Sequence, residues 1–180
     1  MKVEQDFIAA LLNPTSQNVA FQSLLQQYQK PLYYHIRNIV LNHDDADDVL
    51  QNTFIKVFQN LDKFKGESKL FSWIYRIATN EAITFLNSKA KKNNISNQEL
   101  QSEIINNLEA DVFFDGNEIQ LKLQKAIAIL PEKQQLIFKM KYFQELKYEQ
   151  ISDVLGTSVG GLKASYHIAT KKIEEFLKTN

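Results

Sequence analysis

Apolar residues recur at intervals of three and four along most of the chain, which is the period of an amphipathic helix. The first long run covers residues 19–41 and contains Pro31, which either kinks the helix or splits it. An acidic cluster at 42–48 then opens a second helix that runs to about residue 60, since carboxylates in a first turn complement the helix dipole. A third helix is expected over 69–92. With five glycines and three prolines in 180 residues, the pattern predicts an all-α protein.

The second half of the chain predicts four further helices, at 119–130, 132–144, 148–155 and 159–178. Between the halves, residues 93–117 contain five acidic residues, no basic residue and many Asn and Ser side chains. A polar segment of this length is unusual as an ordered loop within one compact domain. We therefore expect two small helical domains, residues 1–92 and 118–180, joined by a flexible acidic linker.

Composition excludes several classes of protein. The chain has no cysteine, which excludes disulfides and cysteine-ligated zinc. It has no apolar run of ~18 residues, so no transmembrane helix is expected. The N-terminus lacks the basic-then-apolar layout of a signal peptide, and a cytoplasmic location is expected by default. The formal net charge is zero, but residues 82–98 and 154–173 contain no acidic residue and form two separate cationic patches.

Residues 64–82 interleave aromatic and basic side chains around Trp73, the only tryptophan of the chain. Such a mixture suits single-stranded nucleic acid, because bases stack on rings while Lys and Arg neutralise phosphates. The apolar residues of the segment also have helical spacing, which is typical of core packing. The segment alone leaves both interpretations open.

Residues 148–177 have the pattern of a helix-turn-helix. Gly156 supplies the left-handed turn, and Ser158 can cap the second helix. The second helix then presents Lys163, His167 and Lys171 in one row, which fits a DNA major groove. The alternative is an ordinary helical hairpin with a solvated basic face.

The acidic cluster at 44–48 matches the DDxxD pattern of magnesium-dependent isoprenoid synthases, but no second acidic motif accompanies it. We expect instead a protein-binding face, in which Asp45, Asp48 and Asn52 lie beside an exposed Phe54. No nucleophile and base are arranged for catalysis, and surface or capping roles are expected for His35 and His43. The sequence predicts no enzyme, no metal and no cofactor.

Two segments resemble a known family. DADDVLQNTFIKVFQNLDKFKGESKLFSWIYRIATNEA is similar to region 2, and LPEKQQLIFKMKYFQELKYEQISDVLGTSVGGLKASYHIATKKIEEFL to region 4, of the extracytoplasmic-function (ECF) sigma factors of bacterial RNA polymerase. Both occur in the family's order and spacing. The resemblance covers roughly residues 20–92 and 118–177.

The resemblance implies three functional surfaces. The helix that docks on the clamp helices of the largest polymerase subunit would present Asp45, Asp48, Gln51, Asn52 and Phe54. The surface that engages and melts the −10 promoter element would comprise Phe71, Trp73, Tyr75, Arg76, Asn80 and Lys89. The helix that reads the −35 element would use Ser158, Lys163, His167, Lys171 and Lys172. Family arginines are replaced here by Ser165, Ile168 and Thr170, which leaves fewer bidentate guanine contacts.

The resulting prediction is a sigma factor that directs core RNA polymerase to promoters and aids DNA melting. Its expected partners are the polymerase clamp helices and flap, promoter DNA and, as in many relatives, an anti-sigma factor; no small-molecule substrate is expected. The alternative is a helix-turn-helix regulator that binds duplex DNA without polymerase.

Overall fold

The computed structural model describes residues 2–66, 68–106, 108 and 117–179, and every regular element in that part of the chain is helical. The helices are α1 (Lys2–Leu12), α2 (Gln17–Val40), α3 (His43–Gln59), α4 (Leu70–Lys92), α5 (Asn97–Asn106), α6 (Glu118–Ala128), α7 (Glu132–Tyr142), α8 (Tyr148–Leu155) and α9 (Val159–Thr179). A short 3₁₀ turn at Leu61–Lys63 follows α3. The expectation of an all-α protein is confirmed.

Helices α1–α4 form an N-terminal bundle in which α2, α3 and α4 pack on one another. Pro31 lies inside α2 without splitting it. Leu41 ends that helix in the left-handed conformation (φ 63°), and the Asn42 side chain accepts a hydrogen bond from the backbone N–H of Asp45 to begin α3. Helix α1, which the hydrophobic pattern did not predict, packs on α2 and buries Leu11.

Helices α6–α9 form a C-terminal group. Pro131 immediately precedes α7, as expected from its fixed φ and missing N–H. Gly156 ends α8 with φ 64° and donates its N–H to the Ser152 carbonyl, so the glycine predicted for the turn is in the conformation that favours it. Helix α9 packs on α6, α7 and α8 through a stripe that includes Leu162, Ala169 and Ile173.

The segment expected to be a flexible linker contains an ordered helix. Residues 97–106 form α5, which packs on α4 and α6 and buries Leu100 and Ile105. The polar and acidic composition of 93–117 favoured a flexible linker, although Leu100, Ile104 and Leu108 recur at the spacing of a helix. The remainder of the expected linker, residue 107 and residues 109–116, lies outside the described part of the chain.

The N-terminal bundle and the C-terminal group are in direct contact, chiefly between α4 and α8 and also between α2 and α7. One continuous hydrophobic core includes Ile36 and Ile74 from the bundle and Ile137, Ile151 and Leu162 from the group. Since these side chains are nearly or fully buried, the contact excludes water rather than joining two wetted surfaces.

Candidate functional site

The outer side of α3 carries the acidic residues that the sequence singled out. Asp48, Gln51 and Asn52 are exposed to solvent. Phe54 is not: only 9% of it is accessible, and it belongs to the core stripe with Leu50 and Val57. The prediction that Phe54 is exposed is therefore wrong, because it lies four residues after Leu50 and shares its helix face.

Asp45 and Lys89 were predicted on different surfaces, yet they form an ion pair. Nζ of Lys89 lies 2.5 Å from Oδ2 of Asp45, and both side chains are partly buried. The pair joins the beginning of α3 to the last turn of α4, where a cation also complements the helix dipole. Both charges are therefore partly neutralised before any partner binds.

Helix α4 divides into a buried side and an accessible side. Ile74 and Ala78 are fully buried, while Trp73, Arg76 and Asn80 follow one another at helical spacing on the other side. We call these three residues the α4 aromatic face. Trp73 is half-buried, with its ring 5.1 Å from that of Phe64 between centroids, and Arg76 and Asn80 are exposed.

The two other aromatic residues predicted to meet the −10 element lie deeper. Phe71 is half-buried, with its ring centroid 4.1 Å from that of Tyr75. Tyr75 is 5% exposed and also packs on His35. Burial, with a smaller contribution from Tyr28, raises the pKa of Tyr75 to about 12. Tyr75 is therefore a core residue in the free protein, and its contact with DNA stays a prediction.

Helix α8 lies against the α4 aromatic face. The guanidinium of Arg76 donates a short hydrogen bond to the backbone carbonyl of Asp153. The hydroxyl of Ser72, one turn earlier, lies 3.5 Å from Oδ2 of the same aspartate. The C-terminal group therefore occupies part of the space in front of the face. The sequence carries no signal for this contact, because Arg76 and Asp153 belong to two separate motifs that lie 77 residues apart.

A buried histidine links the same two parts of the molecule. His35 is fully buried; its Nε2 lies 2.8 Å from the Thr79 hydroxyl and its Nδ1 lies 2.9 Å from Oε1 of Gln144, which follows α7. The surface or capping role expected for His35 is wrong, because its neighbours Leu32 and Ile39 place it on the apolar stripe of α2. Burial lowers the pKa of this imidazole to about 4, so the ring is neutral at pH 7.

Helix α9 presents three lysines and a histidine to solvent. Lys163, His167, Lys171 and Lys172 are all exposed, and we call them the α9 basic face. Ser158 begins the helix, and its hydroxyl accepts a hydrogen bond from the backbone N–H of Gly161 at 3.2 Å, as expected for a cap. Gly160, at the same end, has only open space around the position of a side chain. The face is therefore free for a large, flat or grooved partner.

The described residues contain no group of three or more His, Cys, Asp or Glu side chains that could hold a metal ion. Within the described part of the chain, no helix is both long and apolar enough to cross a membrane.

Both parts of the chain match known protein families. The family described as Sigma-70 region 2 matches residues 24–92, and Sigma-70, region 4 matches residues 120–173. The chain belongs to the ECF sigma factors. It therefore directs bacterial transcription initiation, and a helix-turn-helix regulator that acts without polymerase is not favoured.

The ECF relatives match over most of their length. The chain is 28% identical over 165 residues to the ECF RNA polymerase sigma-E factor of Haemophilus influenzae, covering 86% of each chain. It is 26% identical over 168 residues to the ECF RNA polymerase sigma factor SigW of Bacillus subtilis, covering 88% of this chain and 89% of the relative.

Two solved structures share the fold. CnrH in complex with the cytosolic domain of CnrY has a TM-score of 0.69 and 18% identity, with 98% of each chain covered. The sigma factor RpoE in complex with the anti-sigma factor NepR from Bartonella quintana has a TM-score of 0.64 and 19% identity, with 89% of this chain and 98% of that chain covered.

Proposed function

We propose that this sigma factor binds core polymerase through α3, captures the −10 element on the α4 aromatic face and contacts the −35 element with the α9 basic face. In this proposal residues 1–92 and 118–180 are separate functional domains, and residues 93–117 connect them. The observation that carries the proposal is the α4 aromatic face itself. A ring, a guanidinium and an amide stand in one row beside a fully buried stripe.

The chemistry of that row suits an unpaired strand. A base stacked on an aromatic ring gains roughly 1–3 kcal/mol, which offsets the unstacking and unpairing of a flipped base. Arg76 supplies a positive charge for the backbone, and Asn80 supplies both a donor and an acceptor for a base edge. Promoter opening by this route needs no nucleotide hydrolysis, since captured bases shift the duplex-to-open equilibrium.

The α3 surface is the candidate for polymerase docking. Asp48, Gln51 and Asn52 are exposed, and none of them takes part in the Asp45–Lys89 pair. An acidic and amide-rich face favours a basic partner helix and speeds association at low salt. We place the docking contact on these three residues and leave the buried Phe54 out of it.

Helix α8 must leave α4 before the promoter can be opened, because its residue Asp153 holds the Arg76 guanidinium. The proposal therefore includes a closed state of the free protein and an open state on polymerase. One of the two similar solved structures is described as a sigma factor in complex with an anti-sigma factor. We propose an anti-sigma factor as a further partner of this chain, and one that favours the closed state.

Transcription from genomic fragments with bacterial core polymerase tests the proposal. Asp48→Ala should weaken the complex with core, whereas Asp62→Ala, also exposed but on the 3₁₀ turn, should not. Arg76→Ala and Asn80→Ala should retain core binding and reduce open-complex formation. If neither a core complex nor a promoter-dependent transcript forms, the assignment of these surfaces fails.

A further inference from the structure

A cavity of about 350 Å³ lies where the N-terminal bundle, α5 and the C-terminal group meet. Its apolar wall is formed by Ile39, Ile83, Leu86, Leu100, Leu130 and Leu136. None of the residues proposed to contact the promoter or the polymerase lines it, although α4 contributes Ile83 and Leu86 to its wall.

The size of this cavity exceeds that of a packing defect. Voids in a folded core are rarely larger than a water molecule, whose share of liquid volume is about 30 Å³. Sites for small organic molecules begin at about 300 Å³ and are mostly apolar with a few polar groups, often between domains. The cavity matches that description in volume, lining and position.

A buried lysine places a positive charge at the wall of the cavity. Lys139 of α7 lines the cavity and is only 3% exposed. Among the described residues, no ion pair or side-chain hydrogen bond satisfies its Nζ. Burial lowers the pKa of this amine to about 8, so most molecules still carry the positive charge at pH 7. A buried cation without a partner is costly, and an anion in the cavity would remove that cost.

Most of the other polar groups at the cavity wall are already hydrogen-bonded to protein atoms or are exposed to solvent. The Gln135 amide donates to the Leu130 carbonyl at 2.8 Å and exchanges hydrogen bonds of 3.1 Å with Gln101. Glu132 is exposed and lies two helical turns before Lys139, about 10 Å along the axis of α7. An anionic group is therefore favoured at the Lys139 end and disfavoured at the Glu132 end.

We propose that this cavity binds a small amphipathic monocarboxylate, with its carboxylate on Lys139 and its hydrocarbon chain against the leucine and isoleucine wall. One cation matches a single negative charge better than a phosphate dianion, which needs several donors. Because the wall comes from α2, α4, α5, α6 and α7, a bound acid would also hold the closed state together. This site goes beyond the proposed promoter and polymerase surfaces, and its binding test does not depend on them.

Calorimetric titration of the full chain with decanoate tests the site. Decanoate should bind with one-to-one stoichiometry. Lys139→Met keeps the length of the side chain and removes the charge, and it should weaken binding about tenfold to hundredfold because a charge-assisted contact is lost. The matched control is Lys133→Met, an exposed lysine of the same helix that does not line the cavity, and it should bind as the unaltered chain does.

Two further arms separate a built site from general hydrophobic binding. Decylammonium has the same hydrocarbon chain with the opposite charge, and Lys139 should exclude it. Ala128→Phe places a ring in the cavity from α6 and should abolish decanoate binding while leaving the protein folded, as judged by its far-UV circular dichroism. The proposal is overturned if decanoate does not bind, if decylammonium binds equally well, or if Lys139→Met has the affinity of Lys133→Met.

A second readout connects the site to transcription. Saturating decanoate should lower the affinity for core polymerase in the unaltered chain and leave it unchanged in Lys139→Met. If decanoate bound without changing the affinity for core polymerase, the site would be supported and its coupling to the closed state would be contradicted. Failure of the polymerase assignment itself would leave the calorimetric result intact, so the two failures are distinguishable.

Discussion

The α4 aromatic face and the α9 basic face are both proposed to contact promoter DNA, but they differ in how accessible they are to solvent in the free protein. On α4, Trp73 is half-buried and Arg76 is held by the backbone of Asp153. On α9, every member of the face is exposed, and the described residues include no ion pair to Lys163 or Lys171.

This difference in accessibility matches the two forms of DNA that the faces are proposed to bind, duplex DNA for α9 and an unpaired strand for α4. Lysines on a solvated helix bind duplex phosphates mainly by counterion release, and exposure costs them nothing. A ring that stacks on an unpaired base would be an exposed hydrophobic patch in the free protein. In the free protein the Trp73 ring packs on Phe64, while α8 holds Arg76 beside it, so full access to the α4 aromatic face depends on the separation of the two parts of the molecule.

A covalent lock on the closed state should give the largest effect. The chain has no cysteine, so Ser72→Cys with Asp153→Cys introduces a single pair of thiols where the native oxygens lie 3.5 Å apart. Oxidation should tie α8 to α4 and abolish open-complex formation and transcription, and reductant should restore both. The measurement is run-off transcription before and after reduction, with the cross-link followed by electrophoretic mobility.

Each single cysteine variant serves as a control, because neither can form the bond within one molecule. Oxidised single variants should transcribe as their reduced forms do. Full transcription from the cross-linked double variant would show that α8 need not leave α4, and the closed state would then have no regulatory meaning.

The closed state also shows where sequence patterns stop being informative. The stripes on α2, α4 and α9, the glycine at 156 and the cap at Ser158 were all predictable, because they depend on spacing along one helix. The Arg76–Asp153 and His35–Gln144 contacts join residues far apart in sequence. No periodicity encodes such pairs.

Errors within single helices have a different cause. Phe54 was predicted to be exposed, and Tyr75 was assigned to the −10 surface by the family resemblance, yet both are buried. The apolar stripe of a helix is wider than a hundred degrees, so residues at its margin can face either way. Only the packing of α2 against α3 and α4 decides that both rings turn inward.

The next largest effect should be a loss of stability in acid that depends on His35. The neutral imidazole is held in the folded state with a pKa of about 4 against an ordinary 6.5, so the unfolded chain takes up the proton first. The neutral imidazole contributes about 3 kcal/mol to the free energy of unfolding. This contribution is complete above pH 6.5 and is lost as the pH falls toward 4. Urea unfolding at several pH values measures it.

His35→Gln keeps a hydrogen-bonding side chain and removes the titration, so it isolates this group from the carboxylates that titrate nearby. The variant should be less stable than the unaltered chain at pH 7 and lose less stability between pH 6.5 and 4. Parallel pH profiles of the two proteins would mean that the histidine is not held neutral by the contact between α2, α4 and Gln144.

Removing the Trp73 ring should give a smaller effect, and one confined to single-stranded DNA. Trp73→Ala should weaken holoenzyme binding to an unpaired −10 strand by about fivefold to 150-fold, which corresponds to roughly 1–3 kcal/mol of stacking. Trp73→Phe retains a ring and should recover most of the affinity. Fluorescence of a base analogue in the −10 element reports opening. If the unaltered chain, Trp73→Ala and Trp73→Phe opened the promoter equally, Trp73 would serve only to pack against Phe64.

The smallest effect is expected on the α9 basic face, because each exposed lysine contributes one point charge. Lys171→Ala should weaken binding to a mixed-sequence duplex modestly and reduce the slope of log affinity against log salt by about 1, the signature of one phosphate contact. Lys30→Ala, an exposed lysine of α2, should leave the slope unchanged. If Lys171→Ala altered promoter opening and left the salt slope unchanged, the α9 basic face would not act through duplex phosphates, and the proposed difference between the two faces would be wrong.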